Sequence, residues 1–141
     1  IFLFEYEISI QHLKKMIMLA EEIKDKKNQV DGLYKLGKAY VSLCKHSEAM
    51  TYLEKALNIA RENGDMKMQG TVLYCIGISI MLNCDNKHIK EAIDFFQEAN
   101  AINHQISDRS GLRYSLQGTG LAYSVLGQWN ESIKYLKQSI E

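Results

Sequence analysis

Apolar residues recur at helical spacing along nearly the whole chain. Leu33, Leu36, Gly37 and Tyr40 fall at i, i+3, i+4 and i+7, and Ala49, Leu53, Ala56, Leu57 and Ala60 do likewise. A short polar turn, Cys44 to Ser47, separates the two runs, so the stretch predicts a helical hairpin. The pattern returns. "LYKLGKAY" ends at Tyr40, "LYCIGISI" at Ile80 and "LQGTGLAY" at Tyr123; their glycines Gly37, Gly77 and Gly120 are 40 and 43 residues apart. The second halves align as well. Their small residues Ala49, Ala92 and Ser132 are 43 and 40 apart, and one three-residue insertion in "NCDNKH" accounts for every offset. Extended backward, the register places "SIQHLKKMIMLAEEIKD" as the second helix of an earlier unit whose first half is missing.

Each unit closes on an aspartate: Asp25, Asp65 and Asp108. An aspartate accepts hydrogen bonds from the free backbone N–H groups at a helix start, so each is expected to open the next helix. The glycines and alanines also have a predicted purpose. Where two helices cross closely, only a hydrogen or a methyl fits between the axes. Gly37 and Ala49 are expected near the turn inside a hairpin, and Ala56 where the next first helix packs. Glycine costs up to about 1 kcal/mol inside a helix, so its recurrence points to packing. Val72–Leu82 is β-branched and apolar and alone favours a strand. Its register with the other repeats predicts a helix.

These residues resemble the tetratricopeptide repeat family. The first full unit carries the pattern with Leu33, Leu36, Gly37, Tyr40, Ala49, Leu53 and Ala56, and the second with Leu73, Ile76, Gly77, Ile80, Ala92, Phe96 and Ala99. The third has Leu116, Thr119, Gly120, Tyr123, Ser132, Leu136 and Ser139, with Thr and Ser departing from the usual choices. The step is 40 rather than the family's 34 and the chain has no proline; the extra length is expected in long second helices. The resemblance implies an all-α, right-handed superhelical solenoid of helical hairpins. The expected division is 1–28 as the second helix of a truncated repeat, then repeats over 29–65, 66–108 (with the insertion) and 109–141, all in one domain. The start at Ile1 and the mid-pattern ends lead us to expect a piece of a larger protein.

In this family the first helices line a concave face. Carried over by position, the resemblance implies partner-binding roles for Tyr34, Lys35, Lys38 and Ser42 in the first unit. It implies the same for Tyr74, Cys75, Ile78 and Met81 in the second and for Gln117, Leu121 and Ser124 in the third. The Lys, Asn and Arg set that clamps a terminal carboxylate in co-chaperone members is not filled, since only Lys35 and Lys38 offer charge. The asparagine that follows the repeat glycine in spindle-orientation adaptors is replaced by Lys38, Ile78 and Leu121.

Charge and cysteine content narrow the function. Lys+Arg and Asp+Glu are both 17, so the basic excess of a nucleic-acid binder is missing. The longest apolar run, Ile76–Leu82, is far shorter than the ~20 residues of a membrane span. Three cysteines, Cys44, Cys75 and Cys84, are an odd number without a CxxC, which suggests reduced thiols and a cytoplasmic setting. Cys44 and Cys84 fall in equivalent turns of adjacent repeats, and helix spacings of ~8–10 Å argue against a disulfide there. Asp85 and His88 are too few to hold a metal, His12, His46 and His104 form no cluster, and Trp129 is expected to pack at the start of the last helix. No metal, cofactor or catalytic group is expected. The expected function is a non-catalytic scaffold or adaptor for a partner protein or peptide, without nucleic acid or membrane. The alternative is a regulatory peptide-sensor domain similar to bacterial pheromone receptors.

Overall fold

A computed structural model describes residues 2–83 and 86–141. Those residues form seven α-helices: α1 (Phe2–Glu22), α2 (Lys26–Ser42), α3 (His46–Glu62), α4 (Met66–Leu82), α5 (Ile89–Gln105), α6 (Arg109–Val125) and α7 (Trp129–Ile140). No strand occurs among them. The apolar Val72–Leu82 stretch is helical, within α4, as its register predicts.

Asp25, Asp65 and Asp108 cap α2, α4 and α6. Their carboxylates accept from the backbone N–H groups of Asn28, Met68 and Gly111 at 3.2, 3.0 and 3.0 Å. The residue before each cap has a positive φ: Lys24 at 57°, Gly64 at 68° and Ser107 at 57°. This left-handed step closes the preceding helix. At Ser107 the N–H reaches the His104 carbonyl at 3.2 Å, and the Asp108 N–H reaches that of Asn103 at 2.9 Å. Each second-to-first connection is thus one left-handed residue followed by an aspartate.

From α2 to α6 every helix has 17 residues. The length beyond a 34-residue unit is therefore shared by both helices of a hairpin, whereas the sequence led us to expect it in the second alone. Part of it is the first turn of α4 after the Asp65 cap, because a capping aspartate sets a helix start irrespective of the later apolar register. Of the "NCDNKH" insertion, Asn86–His88 form one 3₁₀ turn leading into α5. Cys84 and Asp85, named above for a disulfide and a metal, lie outside the described residues.

The chain forms two compact units, Ile1–Gly64 and Asp65–Glu141. In the first, α2 packs on α1 and on α3. A Cβ on Gly37 would stand 2.6 Å from the Leu53 side chain, and one on Gly32 would stand 2.7 Å from Ile17. In the second, α5 lies between α4 and α6, and α7 packs on α6. Its centre is Phe96, fully buried. One edge of that ring meets two glycines: a Cβ on Gly77 would come within 2.5 Å of it and one on Gly118 within 2.6 Å. The glycine of the last hairpin, Gly120, faces Leu136 in the same way at 2.7 Å.

Candidate functional site

In the second unit α4 and α6 flank α5, and both run antiparallel to it. Tyr74, Ile78 and Met81 follow one another at i, i+4 and i+7 along α4, and all three are half-buried. Gln117, Leu121 and Ser124 do the same along α6, where Leu121 is 49% exposed. The Tyr74 ring ties the two rows together. Its centroid lies 5.9 Å from that of Phe96 and 6.1 Å from that of Tyr114, both tilted. Tyr114 in turn carries the Arg113 guanidinium over its face at 5.3 Å, a cation–π geometry. Val125 extends the α6 row by a further step and is 48% exposed. Aromatic side chains thus occupy the first half of this face and aliphatic ones the second.

Tyr74 has two functions here. It borders the exposed face, and it also packs on the core through Phe96. Burial pushes its phenol above the usual value, with the neighbouring Cys75 and Tyr114 groups acting in the same direction. Cys75, which the family position assigns to the binding face, is buried. The Ser124 hydroxyl donates to the Leu121 carbonyl at 2.6 Å and is committed to its own helix. Leu121 therefore dominates its turn chemically.

The first-unit candidates form a different surface. Lys35 pairs with Asp31 at 2.8 Å, both partly exposed, and Ser42 donates to the Lys38 carbonyl at 3.2 Å. Lys38 is exposed and Tyr34 half-buried. This row is polar and charged. An exposed ion pair of this kind is worth only about 0–1 kcal/mol, so Lys35 remains able to exchange partners.

Sequence reasoning missed Tyr114 and Val125. Both sit at first-helix positions that the family uses, two residues before Leu116 and one after Ser124, so position alone marked them. Trp129 differs from expectation. It opens α7 as predicted, but it is 64% exposed, and Ile133 one turn later is 51% exposed. The equivalent α5 residues, Ile89 and Ile93, are 2% and 6% exposed. The reason is packing: α5 has a helix on either side, whereas α7 packs on α6 alone. Cys44 is exposed and Cys75 buried. No group of three metal-ligating side chains occurs among the described residues. Likewise, no described helix is long and apolar enough to cross a membrane.

Comparison with known proteins fits this geometry. The sequence pattern of the tetratricopeptide repeat matches residues 30–63, and that of anaphase-promoting complex subunit 5 matches residues 72–120. None of the curated proteins compared matches the chain. Among solved structures, the crystal structure of the TPR domain of Arabidopsis FLU is similar at a TM-score of 0.74 with 23% identity. That likeness covers 82% of this chain and 94% of the other. The matched window begins at Val30, three residues before Leu33, and so carries the register deduced from Leu33, Gly37, Ala49 and Ala56. One tetratricopeptide repeat is thus matched in sequence over residues 30–63, and the fold of a TPR domain is shared along most of the chain.

Proposed function

We propose that this chain is a non-catalytic scaffold that holds a partner protein or peptide on the exposed face of its first helices. The observation that carries this is the joined row on α4 and α6: Tyr74, Ile78 and Met81 beside Tyr114, Leu121 and Val125. Exposed apolar surface of this extent, bordered by polar residues, is costly to leave in water and marks interaction sites. Its aromatic and methionine content suits a groove that adapts to side chains of a ligand. Helical hairpin repeats present extended surfaces rather than closed pockets, which fits capture of a polypeptide better than turnover of a small molecule. Tyr34, Lys35, Lys38 and Ser42 offer a polar surface on α2 for the same class of ligand. The match of residues 72–120 to a subunit of a multi-protein complex supports the scaffold assignment. The exposed free thiol of Cys44 supports a reducing, cytoplasmic setting.

The test compares the wild-type chain with Leu121→Gln/Val125→Gln in affinity capture, followed by calorimetry with the captured protein after purification. Both residues are about half exposed, so the variant should keep its thermal midpoint. The expected result is a protein bound directly by the wild type and at least tenfold more weakly by the variant. Equal affinity for both would place the interface away from α6.

A further inference from the structure

The interface between α5 and α6 is built differently from its equivalents elsewhere in the chain. On α5, Asn100 stands where the other second helices carry Ile17, Leu57 and Ile140, and Asn103 where they carry Ala20 and Ala60. On α6, Ser115 stands where the other first helices carry Gly32 and Val72, and Thr119 where they carry Leu36 and Ile76. Polar side chains thus occupy positions that the repeat otherwise fills with aliphatic residues or glycine. Most are paired within the unit. Asn103 donates to the Ser115 hydroxyl at 3.3 Å, Ser115 to the Gly111 carbonyl at 3.0 Å, and Thr119 to the Ser115 carbonyl at 2.8 Å. Asn100 is only half served. Its Nδ2 donates to the Thr119 hydroxyl at 3.1 Å. That bond fixes which end of the carboxamide is the oxygen, because the Thr119 hydrogen is already given to Ser115. The Asn100 Oδ1 is buried and has no hydrogen-bond partner among the described residues. A buried acceptor without a donor is costly, and an aliphatic side chain such as Leu57 avoids that cost at the same place.

Asn100 lines a cleft of about 480 Å³ between α5 and α7, floored by Leu112 and Leu116 of α6. One wall is Tyr135, whose ring is stacked on that of Tyr123 at 5.5 Å between centroids. Gln97 on α5 and Gln138 on α7 stand on opposite rims, and no Asp, Glu, Lys or Arg lines the space. The first unit has the equivalent cleft, of about 470 Å³, between α1 and α3. There Lys14, Glu21 and Lys55 line it, and Ile17 replaces Asn100. Repeat geometry therefore makes the cleft, whereas the residues of the second unit make it neutral and place an unpaired acceptor in its wall.

We infer that this cleft binds a short, uncharged polypeptide segment in extended form, with one main-chain N–H donating to the Asn100 Oδ1. The unpaired oxygen calls for a donor. The neutral lining offers nothing to a charged one. A peptide bond carries a donor and an acceptor side by side, and the carboxamides of Gln97 and Gln138 can answer both. Leu112, Leu116 and the Tyr135 ring give one ligand side chain an apolar seat. Along α5 the cleft runs from Gln97 to His104, roughly 10 Å at 1.5 Å per residue. That matches about three extended residues at 3.3 Å each. The oxygen is reached when the rim turns aside. His104 and Gln138 are exposed, and Gln97 is held by a long 3.4 Å bond to the Tyr123 hydroxyl. The inference is independent of the face on α4 and α6, which uses Tyr114, Leu121 and Val125 rather than Leu112 and Leu116.

Blocked tripeptides test this with the intact chain. The parent probe is acetyl-Ala-Leu-Ala-amide. Further probes carry an N-methyl group at one residue each, or glutamate or lysine in place of leucine. Binding is read by NMR from the Asn100 side-chain amide and the Leu112 and Leu116 methyl groups. The parent should shift these signals saturably, and both charged probes should bind more weakly. One N-methylated probe should bind about tenfold more weakly, because it leaves the buried oxygen without its donor. Asn100→Leu should keep or raise the thermal midpoint and bind that probe and the parent equally. Absence of a saturable shift would mean that solvent alone serves the oxygen, and would overturn the inference. Equal binding of the parent and every N-methylated probe by the wild type would also overturn it, as would an N-methyl preference that survives in Asn100→Leu. The comparison on the wild type decides the matter even where the variant does not fold.

Discussion

Gly77 is the position where the packing argument is most exposed to test. Replacing it by alanine adds one methyl at 2.5, 2.7 and 2.9 Å from three atoms of the Phe96 ring. Contacts of 3.0–3.4 Å are already tight, so the ring must retreat by about 0.5–0.9 Å from 2.5 Å. It has little room, because the same edge also meets Gly118, where a Cβ would stand at 2.6 Å. Overpacking of this kind costs about 1–3 kcal/mol. Alanine returns up to about 1 kcal/mol through its better helix propensity. The net expectation is a loss of about 1–2 kcal/mol, or some 5–15 °C for a unit of this size. Circular dichroism during thermal and urea unfolding measures it. Phe96→Leu removes the two closest ring atoms, so Gly77→Ala in that background should be neutral or slightly stabilising. The double-mutant cycle should then show a coupling of at least about 1 kcal/mol. A Gly77→Ala variant as stable as wild type, or strict additivity with Phe96→Leu, would refute the wedge between α4 and α6. Gly77→Leu, with three more carbons and no space for them, should unfold the second unit outright.

Ser107 holds a φ of 57° without being glycine. Ser107→Gly should therefore stabilise the second unit by about 0.5–1 kcal/mol after the entropy of the unfolded chain is counted, and an unchanged urea midpoint would argue against strain there. Asp108→Ala removes the cap on Gly111 and should cost about 1 kcal/mol, read by the same unfolding curve; no loss would mean that solvent replaces the cap fully. Tyr74→Ala should lower both ligand affinity and stability, because its ring meets Phe96 as well as the exposed face; loss of affinity at full stability would confine Tyr74 to the face. The Tyr74 phenol titrates above the usual value of 10.0, chiefly because of burial. Its neutral form is thus favoured in the folded state. That contribution is complete below the unfolded value and is lost as pH rises through the folded one. Tyr74→Phe should flatten the stability-versus-pH curve above pH 10, leaving only the share of Tyr123, which is shifted the same way. An unaltered curve would contradict the burial.

Local chemistry made much of the molecule legible from sequence. The capping aspartates, the i, i+4 and i+7 apolar rows and the recurring glycines act within a helix or between chain neighbours. They specify Asp25, Asp65 and Asp108 as helix starts, and α4 as a helix despite its β-branched residues. Gly37, Gly77 and Gly120 are likewise specified as close crossings, because one side chain at a fixed register faces each of them. Exposure is a different kind of property. It depends on what packs against a helix from elsewhere in the chain, which no local pattern contains. Trp129 and Ile89 occupy equivalent positions, yet one is exposed and the other buried, because α5 has helices on both sides and α7 on one. Cys75 departs from its expected place on the binding face for the same reason, since it is covered, while Tyr114, which the sequence did not single out, joins Tyr74 on the open face. Only the tertiary structure showed that Phe96 is gripped by two glycines from different helices. Only there does Asn100, at a position held by Ile17 or Leu57 in other second helices, line a cleft with its carbonyl oxygen unpaired. Helix formation is settled by near neighbours along the chain, whereas burial and the pairing of polar groups are settled by residues that folding brings together.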